Sequence, residues 1–393
     1  MGIKSPYAVV SLNYFAYFTA IGAWTPFIAI YLQQAGGTGF AIGLFSAVGP
    51  LLSFLTQPLS GLVSDAWGNV RLLYVILLAA TAGLAGIFGL LPATTAFFAL
   101  AVLMGITQGP LSAMLDSMAV QTLGEHSNRI GQARLWGSFS FAAVTLAMGP
   151  IFEKNSGAMF PAFVFLSVCA MLASLAMPAQ TMALRRPDFR LNAVREAVTR
   201  PFLFFLGAVF LLQGGLSLTQ PFLSLVLLER GANATLVGYA WGITALVEIP
   251  FFALTPKLLR RWRPEQLLIA AGAINALRMI AFAFTPNPWL LILIHTLDGV
   301  AFPLTTVSVV LLVDNLVEPA FRTTGFTLQS ACAHTLPRFL GSISGGRIMD
   351  LLGGTGLFLA AAVTTALGCA AVSIWRANSG TQTASSGQLQ LPE

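Results

Sequence analysis

The chain has 393 residues, of which 56% are hydrophobic and 9% charged, against roughly 25% charged in an ordinary soluble domain. So few charges cannot cover a water-facing surface, which excludes a soluble globular protein and leaves lipid as the solvent for most of the chain. The formal charge of +6 would suit nucleic acid, but the basic residues are distributed as a membrane-topology signal, so no nucleic-acid partner is expected.

A membrane-crossing helix takes about 20 mostly apolar residues. Twelve segments qualify: 6–33, 38–65, 70–91, 95–123, 130–153 and 157–179, then 202–229, 233–258, 265–285, 287–315, 321–349 and 353–376. The first run follows Lys4 and extends to about Leu32, too long for the core of a cleaved signal peptide. The runs are also far longer than the roughly 10 alternating residues of a barrel strand. The expectation is an all-α membrane protein. A six-helix bundle over 1–180 and another over 202–376 are joined by a linker, 181–201, where Pro, Arg and Asp cluster. The polar, Ser- and Gln-rich segment 377–393 is expected to be a disordered tail. Cys169, Cys332 and Cys369 fall inside apolar runs without metal-ligand spacing, so they are read as small buried hydrophobes, with no metal site and no cofactor.

With the N-terminus placed in the cytoplasm, fourteen Lys and Arg residues fall in cytoplasmic loops and three, Lys154, Arg230 and Arg347, on the opposite side. Excess Lys and Arg mark cytoplasmic loops, so both termini are expected inside, which requires an even number of spans. The halves also repeat. Pro26, Phe27, Leu32, Gly36 and Gly43 recur as Pro221, Phe222, Leu227, Gly231 and Gly238, each displaced by 195 residues. Six spans separate the copies, so both run in the same direction. Parallel six-helix repeats hold their substrate between the halves near the membrane midplane.

The loop after the second span reads Gly61-Leu-Val-Ser-Asp65-Ala-Trp-Gly68-Asn-Val-Arg71. This resembles the G-x-L-x-D-R-x-G-R/K signature of major facilitator transporters, with Ala66 where the family carries a basic residue. The resemblance implies that Asp65, Gly68 and Arg71 help to gate the cytoplasmic side. The stretch from Pro26 to Tyr74 resembles the lactose permease group. The stretch Asp116 to Phe141, with its Arg134-Leu-Trp-Gly-Ser run, resembles the phenylpropionate permease group, as do Val247-Glu248-Ile249, Arg278 and the region His295 to Pro303. These groups are proton symporters, which implies a multi-pass protein of the bacterial cytoplasmic (inner) membrane, driven by a proton gradient.

Ionisable residues within a span cost at least about 2.5 kcal/mol near the bilayer centre and usually face the interior in pairs. Asp116, Arg134, Glu248, Arg278, His295, Asp298, His334 and Arg338 lie in the predicted spans. Asp116 and Arg134 are read as a pair between neighbouring helices, either a substrate site, as the resemblance implies, or a structural bridge. Glu248, His295 and Asp298 are the proton-coupling candidates. His295 and Asp298 share a helix face, and Arg278 either binds substrate or locks Asp298. Arg338, four residues after His334, is either an anchor for a substrate carboxylate or a residue that pairs with Asp314 or snorkels toward an interface. Tyr17 and Phe141 are candidate substrate contacts. Asn13, Tyr14, Gln213, Thr219 and Gln220 are further residues expected to line the cavity.

These residues predict a secondary transporter, not an enzyme, for there is no nucleophile motif, metal cluster or phosphate loop. The leading expectation is proton-coupled uptake of a small organic anion, with an aromatic acid among the possibilities, by a monomer. The alternatives are a proton-antiport exporter of drugs or metabolites and a sugar or nucleoside symporter.

Overall fold

The computed structural model describes residues 5–90, 93–178, 199–318 and 321–383. The predicted linker, through residue 198, and residues 384–393 of the predicted tail lie outside them. The described elements are helices: α1 Pro6–Trp24, α2 Ile28–Gln34, α3 Gly39–Trp67, α4 Val70–Leu90, α5 Ala93–Gln108, α6 Leu111–Leu123, α7 Ile130–Lys154 and α8 Met159–Ser174 in the first half. The second half holds α9 Arg200–Thr219, α10 Leu223–Glu229, α11 Ala234–Leu258, α12 Pro264–Phe284, α13 Pro288–Leu316, α14 Arg322–Ser330 and α15 Leu336–Thr383. Eleven helical segments of the described residues are long and apolar enough to cross a membrane. The eleventh, Thr324–Asn378, has 55 residues and contains Gly353, whose φ of 64° breaks the helix where two separate spans are predicted. Beyond that break the helix runs on to Thr383, past the expected start of the tail at Ala377.

The 195-residue repeat has a matching local structure. The first span breaks at Thr25–Phe27, between α1 and α2, and its copy breaks at Gln220–Phe222, between α9 and α10. Pro26 and Pro221 sit at the two breaks, where a proline removes a backbone donor and disfavours a continuous helix. Both copies then end on a glycine in the left-handed region, Gly36 at φ 88° and Gly231 at φ 85°, a conformation that costs a side-chain-bearing residue 1–2 kcal/mol or so. The next backbone N–H closes each turn, Gly37 to the Leu32 carbonyl and Ala232 to the Leu227 carbonyl.

Among the described residues, the halves share a core at one end. A single core of Trp24, Phe27, Ile30, Phe152, Phe222, Leu227, Val237 and Phe358 draws residues from both. At the other end each half has its own core: Val10, Tyr14, Tyr74 and Leu115 in the first, Phe202, Phe205, Leu312 and Trp375 in the second. The joined end carries the turns after α2, α7, α10 and α12. The long helix pairs that cross the joint are α3 with α15 and α11 with α7. In each a glycine lets backbones touch. A Cβ on Gly43 would strike the Ser342 carbonyl, and one on Gly238 the Thr145 carbonyl. The opposite end, with the turns after α3, α6 and α11, has no core shared between the halves among the described residues.

Within the second half, α9 packs on α15 just as closely: a Cβ on Gly215 would meet the Thr365 hydroxyl and, at 2.7 Å, the Ala361 carbonyl, whereas one on Gly207 would meet nothing within 4 Å. Overpacking costs about 1–3 kcal/mol. Gly215→Val is therefore expected to lower the melting temperature of the purified protein in detergent, and Gly207→Val to leave it near the parent value; a thermal melt of the two variants checks this.

Candidate functional site

The buried charges of the second half form one cluster. Arg278 on α12 is 4% exposed and points at α13. One terminal nitrogen pairs with Asp298 Oδ1 at 3.0 Å, and the other lies 3.0 Å from His295 Nδ1. A guanidinium has only donors, so Nδ1 accepts, and the proton of this imidazole is on Nε2. His295 is therefore neutral here. Its ring also meets Trp241 and Phe282 edge to face, at 6.2 and 6.1 Å. Arg278 Nε has no hydrogen-bond partner among the described residues. Asp298 keeps 28% of its side chain accessible and opens onto a cavity. Glu248 on α11 is half-buried and has no hydrogen bond or ion pair with a described residue.

That cavity, about 740 Å³ of open and enclosed space, lies between α9, α11, α13 and the stretch 333–338. Gln213, Thr219 and Gln220 line it together with Ser217, Trp241, Phe302, Thr305 and His334. Arg338 lines it too, and also a second cavity that reaches across the joint to Thr25, Ser46 and Pro50 of the first half. The local backbone positions Arg338. Pro337 has no N–H to offer the Ala333 carbonyl, and the chain adopts a π turn at Ala331–Thr335 just before it. Such turns aim side chains out of the regular helical register. The expected alternative partner, Asp314, is taken by Arg322 at 2.8 Å. Arg338 has no hydrogen bond or ion pair with a described residue. The Gln213 carbonyl oxygen beside it is buried and also unpartnered.

In the first half, the structure brings Asp116 and Arg134 to 3.6 Å, and the Tyr14 hydroxyl donates to Asp116 at 2.7 Å. The Asp116 and Arg134 side chains are 37% and 56% accessible, and neither lines the two cavities around Arg338. Tyr17, expected at the substrate site, is buried in the first-half core with its ring edge on Phe18. Asn13 is also structural: its amide donates to the Val9 and Ala173 carbonyls, joining α1 to the end of α8. Phe141 faces Trp241 across the joint at 6.4 Å. Of the expected gate, the Asp65 side chain lies outside the described residues. Gly68 turns the chain at φ 63°, and Arg71 donates to the Leu175 and Met177 carbonyls. Arg71 thus caps the end of α8 inside its own half.

Sequence reasoning missed Trp241, an aromatic residue that lines both cavities. Its Nε1–H donates to Ser224 Oγ at 3.2 Å, and Ser224 donates to the Pro26 carbonyl at the break in the other half. A tryptophan in an apolar span carries no spacing signal that separates it from packing. Cys169, Cys332 and Cys369 are free and half-buried rather than buried as expected, and no cluster of metal ligands occurs among the described residues.

A helical membrane protein of two joined halves, with a polar cavity between them and a buried charge cluster beside it, has the architecture of a secondary transporter. The MFS_1 like family model matches residues 7–360. The chain belongs to that family of transporters of the major facilitator superfamily, and it is a multi-pass membrane protein. It is 30% identical over 359 residues to the maltose permease of Geobacillus stearothermophilus, covering 89% of each chain. It is 28% identical over 293 residues to the probable 3-phenylpropionic acid transporter of Escherichia coli strain K12, covering 72% of this chain and 76% of the relative. The crystal structure of the nucleoside transporter NupG superposes with a TM-score of 0.83 at 17% identity, over 95% of this chain and 99% of that one.

The cluster makes a stability prediction. Breaking a buried pair by removing one partner costs about 3–5 kcal/mol, because a charge is left buried alone. Asp298 is partly hydrated, so Asp298→Asn should fall at the low end of that range, while Arg278→Gln should be mild. Combining them should recover much of the loss, and thermal melts of the three variants in a double-mutant cycle measure the coupling.

Proposed function

We propose that this protein is a proton-coupled importer of a small organic anion, working by alternating access. The observation that carries this reading is the Arg338 guanidinium, which faces both cavities without a protein counter-charge among the described residues. A guanidinium matches a carboxylate through two parallel hydrogen bonds. Trp241, Phe302 and Phe358 offer apolar wall for the body of such a substrate, and Gln213, Gln220 and His334 offer polar contacts around it. Arg278 stands behind, and Asp116, Arg134 and Phe141 join the site from the first half as the halves rock.

Asp298 is the coupling carboxylate in this reading. It pairs with Arg278 and opens onto the cavity, so a change in that pairing links the carboxylate to the substrate site. Glu248 is the second acid available to carry a proton, and His295 orients Arg278. Proton entry alongside an anion compensates its charge. The 55-residue final segment is roughly 80 Å long at 1.5 Å per residue, against about 30 Å of hydrocarbon. It is read as two crossings hinged at Gly353, giving twelve in all with both termini in the cytoplasm. The end without a shared core then carries the Arg-rich loops and faces the cytoplasm, so the structure is read as the inward-facing state of a monomer in the bacterial inner membrane.

A second reading, a sugar–proton symporter, is favoured by the 30% identity to a maltose permease and by the unpartnered Gln213 carbonyl, which suits a hydroxyl donor. Weakly buffered proteoliposomes with no imposed gradient separate the two. Addition of an organic acid should alkalinise the medium, whereas alkalinisation by neutral sugars alone would replace the leading reading with the second. Arg338→Gln should weaken carboxylate binding by tenfold or more, about 1.5–3 kcal/mol for a hydrogen bond to a charged group. Equal affinity in parent and variant, by isothermal titration, removes Arg338 as the anchor.

A further inference from the structure

Two acids bridge the halves at the joined end, and neither belongs to the cavity or the charge cluster. Asp350, in the second half, accepts the backbone N–H of Gly39 on Oδ1 at 2.7 Å and that of Phe40 on Oδ2 at 2.8 Å. Gly39 and Phe40 are the first two residues of α3, where helix N–H groups have no partner inside the helix. Glu153, at the end of α7 in the first half, reaches the other way. It accepts the Asn233 amide at 3.0 Å, the Thr235 backbone N–H at 3.3 Å and the Thr235 hydroxyl. Asn233 caps α11 through its own side chain, and Thr235 is the second residue of that helix. Gly39 and Phe40 shifted by 195 residues are Ala234 and Thr235. The same arrangement is therefore made twice, in opposite directions, by residues on either side of the internal repeat. Glycines hold each pair at backbone distance. A Cβ on Gly346 would strike the Gly39 carbonyl, and one on Gly149 would lie 2.9 Å from the Thr235 Cα. Arg347 adds a cation over the Phe40 ring, 5.3 Å from its centroid.

We infer that Glu153 and Asp350 are positioning residues of the transport cycle: reciprocal carboxylate caps that set how firmly the joined end stays shut. Each places a negative charge at the positive end of a helix in the opposite half, a favourable interaction that decays within the first turn. Parting the halves separates both charges from both helix ends. The exposed N–H groups then find water, so the hydrogen bonds are exchanged and the charge–dipole attraction is what is lost. Both acids are solvent-exposed, which keeps each cap modest. That strength suits a contact that must break in every cycle.

The test measures the width of the joined end. Nitroxide labels at Gln34 and Leu352, exposed positions at this end on opposite halves, report their separation by electron–electron double resonance, in a background with Cys169, Cys332 and Cys369 replaced. The parent should be dominated by the short distance. Glu153→Gln with Asp350→Asn should move the ratio of closed to open about tenfold toward the longer distance, which is ~1.4 kcal/mol. Either single variant should move it part of the way, and Asp350→Glu, which keeps the charge, less than Asp350→Asn. Glu229→Gln is the control, since Glu229 lies against Gly354 of its own half and should leave the distribution unchanged. An unchanged distribution in both single variants overturns the proposal, as does an equal shift in the control. The single variants carry the test should the double variant fail to fold.

Discussion

In lipid a backbone N–H or C=O without a partner costs several kcal/mol, so irregular chain is tolerated only where protein or a water-filled cavity surrounds it. That constraint organises this molecule. Three of its helix interruptions, at Thr25–Phe27, at Gln220–Phe222 and at the π turn Ala331–Thr335, lie at the cavities or the joint. The first two are copies of one another. They bring Thr25 and Gln220 to the same space between the halves, while the π turn supplies His334 and Arg338. Several of the polar groups that line the cavities thus enter the membrane where the helices are interrupted.

The charges divide between two regimes. Arg278 is held by Asp298 and His295 among aromatic rings, an arrangement whose geometry is satisfied within the protein except at Nε. Arg338 is satisfied by no described residue. The difference matters because a buried pair contributes little net stability and a great deal of specificity about what must stay together, whereas an unpaired cation in a cavity defines what may be added. Trp241 touches both regimes. Its ring lies on His295, and its indole nitrogen begins the hydrogen-bonded path through Ser224 to the first half.

Much of this was legible in the sequence, and the limits were physical. Hydropathy marks spans because a 20-residue apolar run has few other uses, and the offset of 195 exposed the repeat because turn glycines and prolines tolerate few substitutes. The pairing of Arg278 with Asp298 followed from the cost of charge in lipid. The partner of Asp314 did not, because an acid near a helix end has several arginines within reach, and Arg322 rather than Arg338 is the one it meets. Asn13 and Tyr17 had the polarity of cavity residues, and only packing against α8 and Phe18 reveals them as core. The reach of Asp350 to Gly39 spans 311 residues of sequence, and nothing local announces it.

The glycines at the joint have a consequence for the rate and reversibility of motion. Where Gly43 meets Ser342 and Gly238 meets Thr145, backbone rests on backbone, and no side chain of either glycine interlocks across the line of contact. Glycine has no rotamers to freeze, so these surfaces meet and part without the entropic toll that a zipper of leucines would exact in one direction and repay in the other. The joint behaves as a bearing rather than a clasp. In the alternating-access reading, contacts of that kind leave the two states within reach of the few kcal/mol that a small bound molecule can supply through its unequal affinity for them.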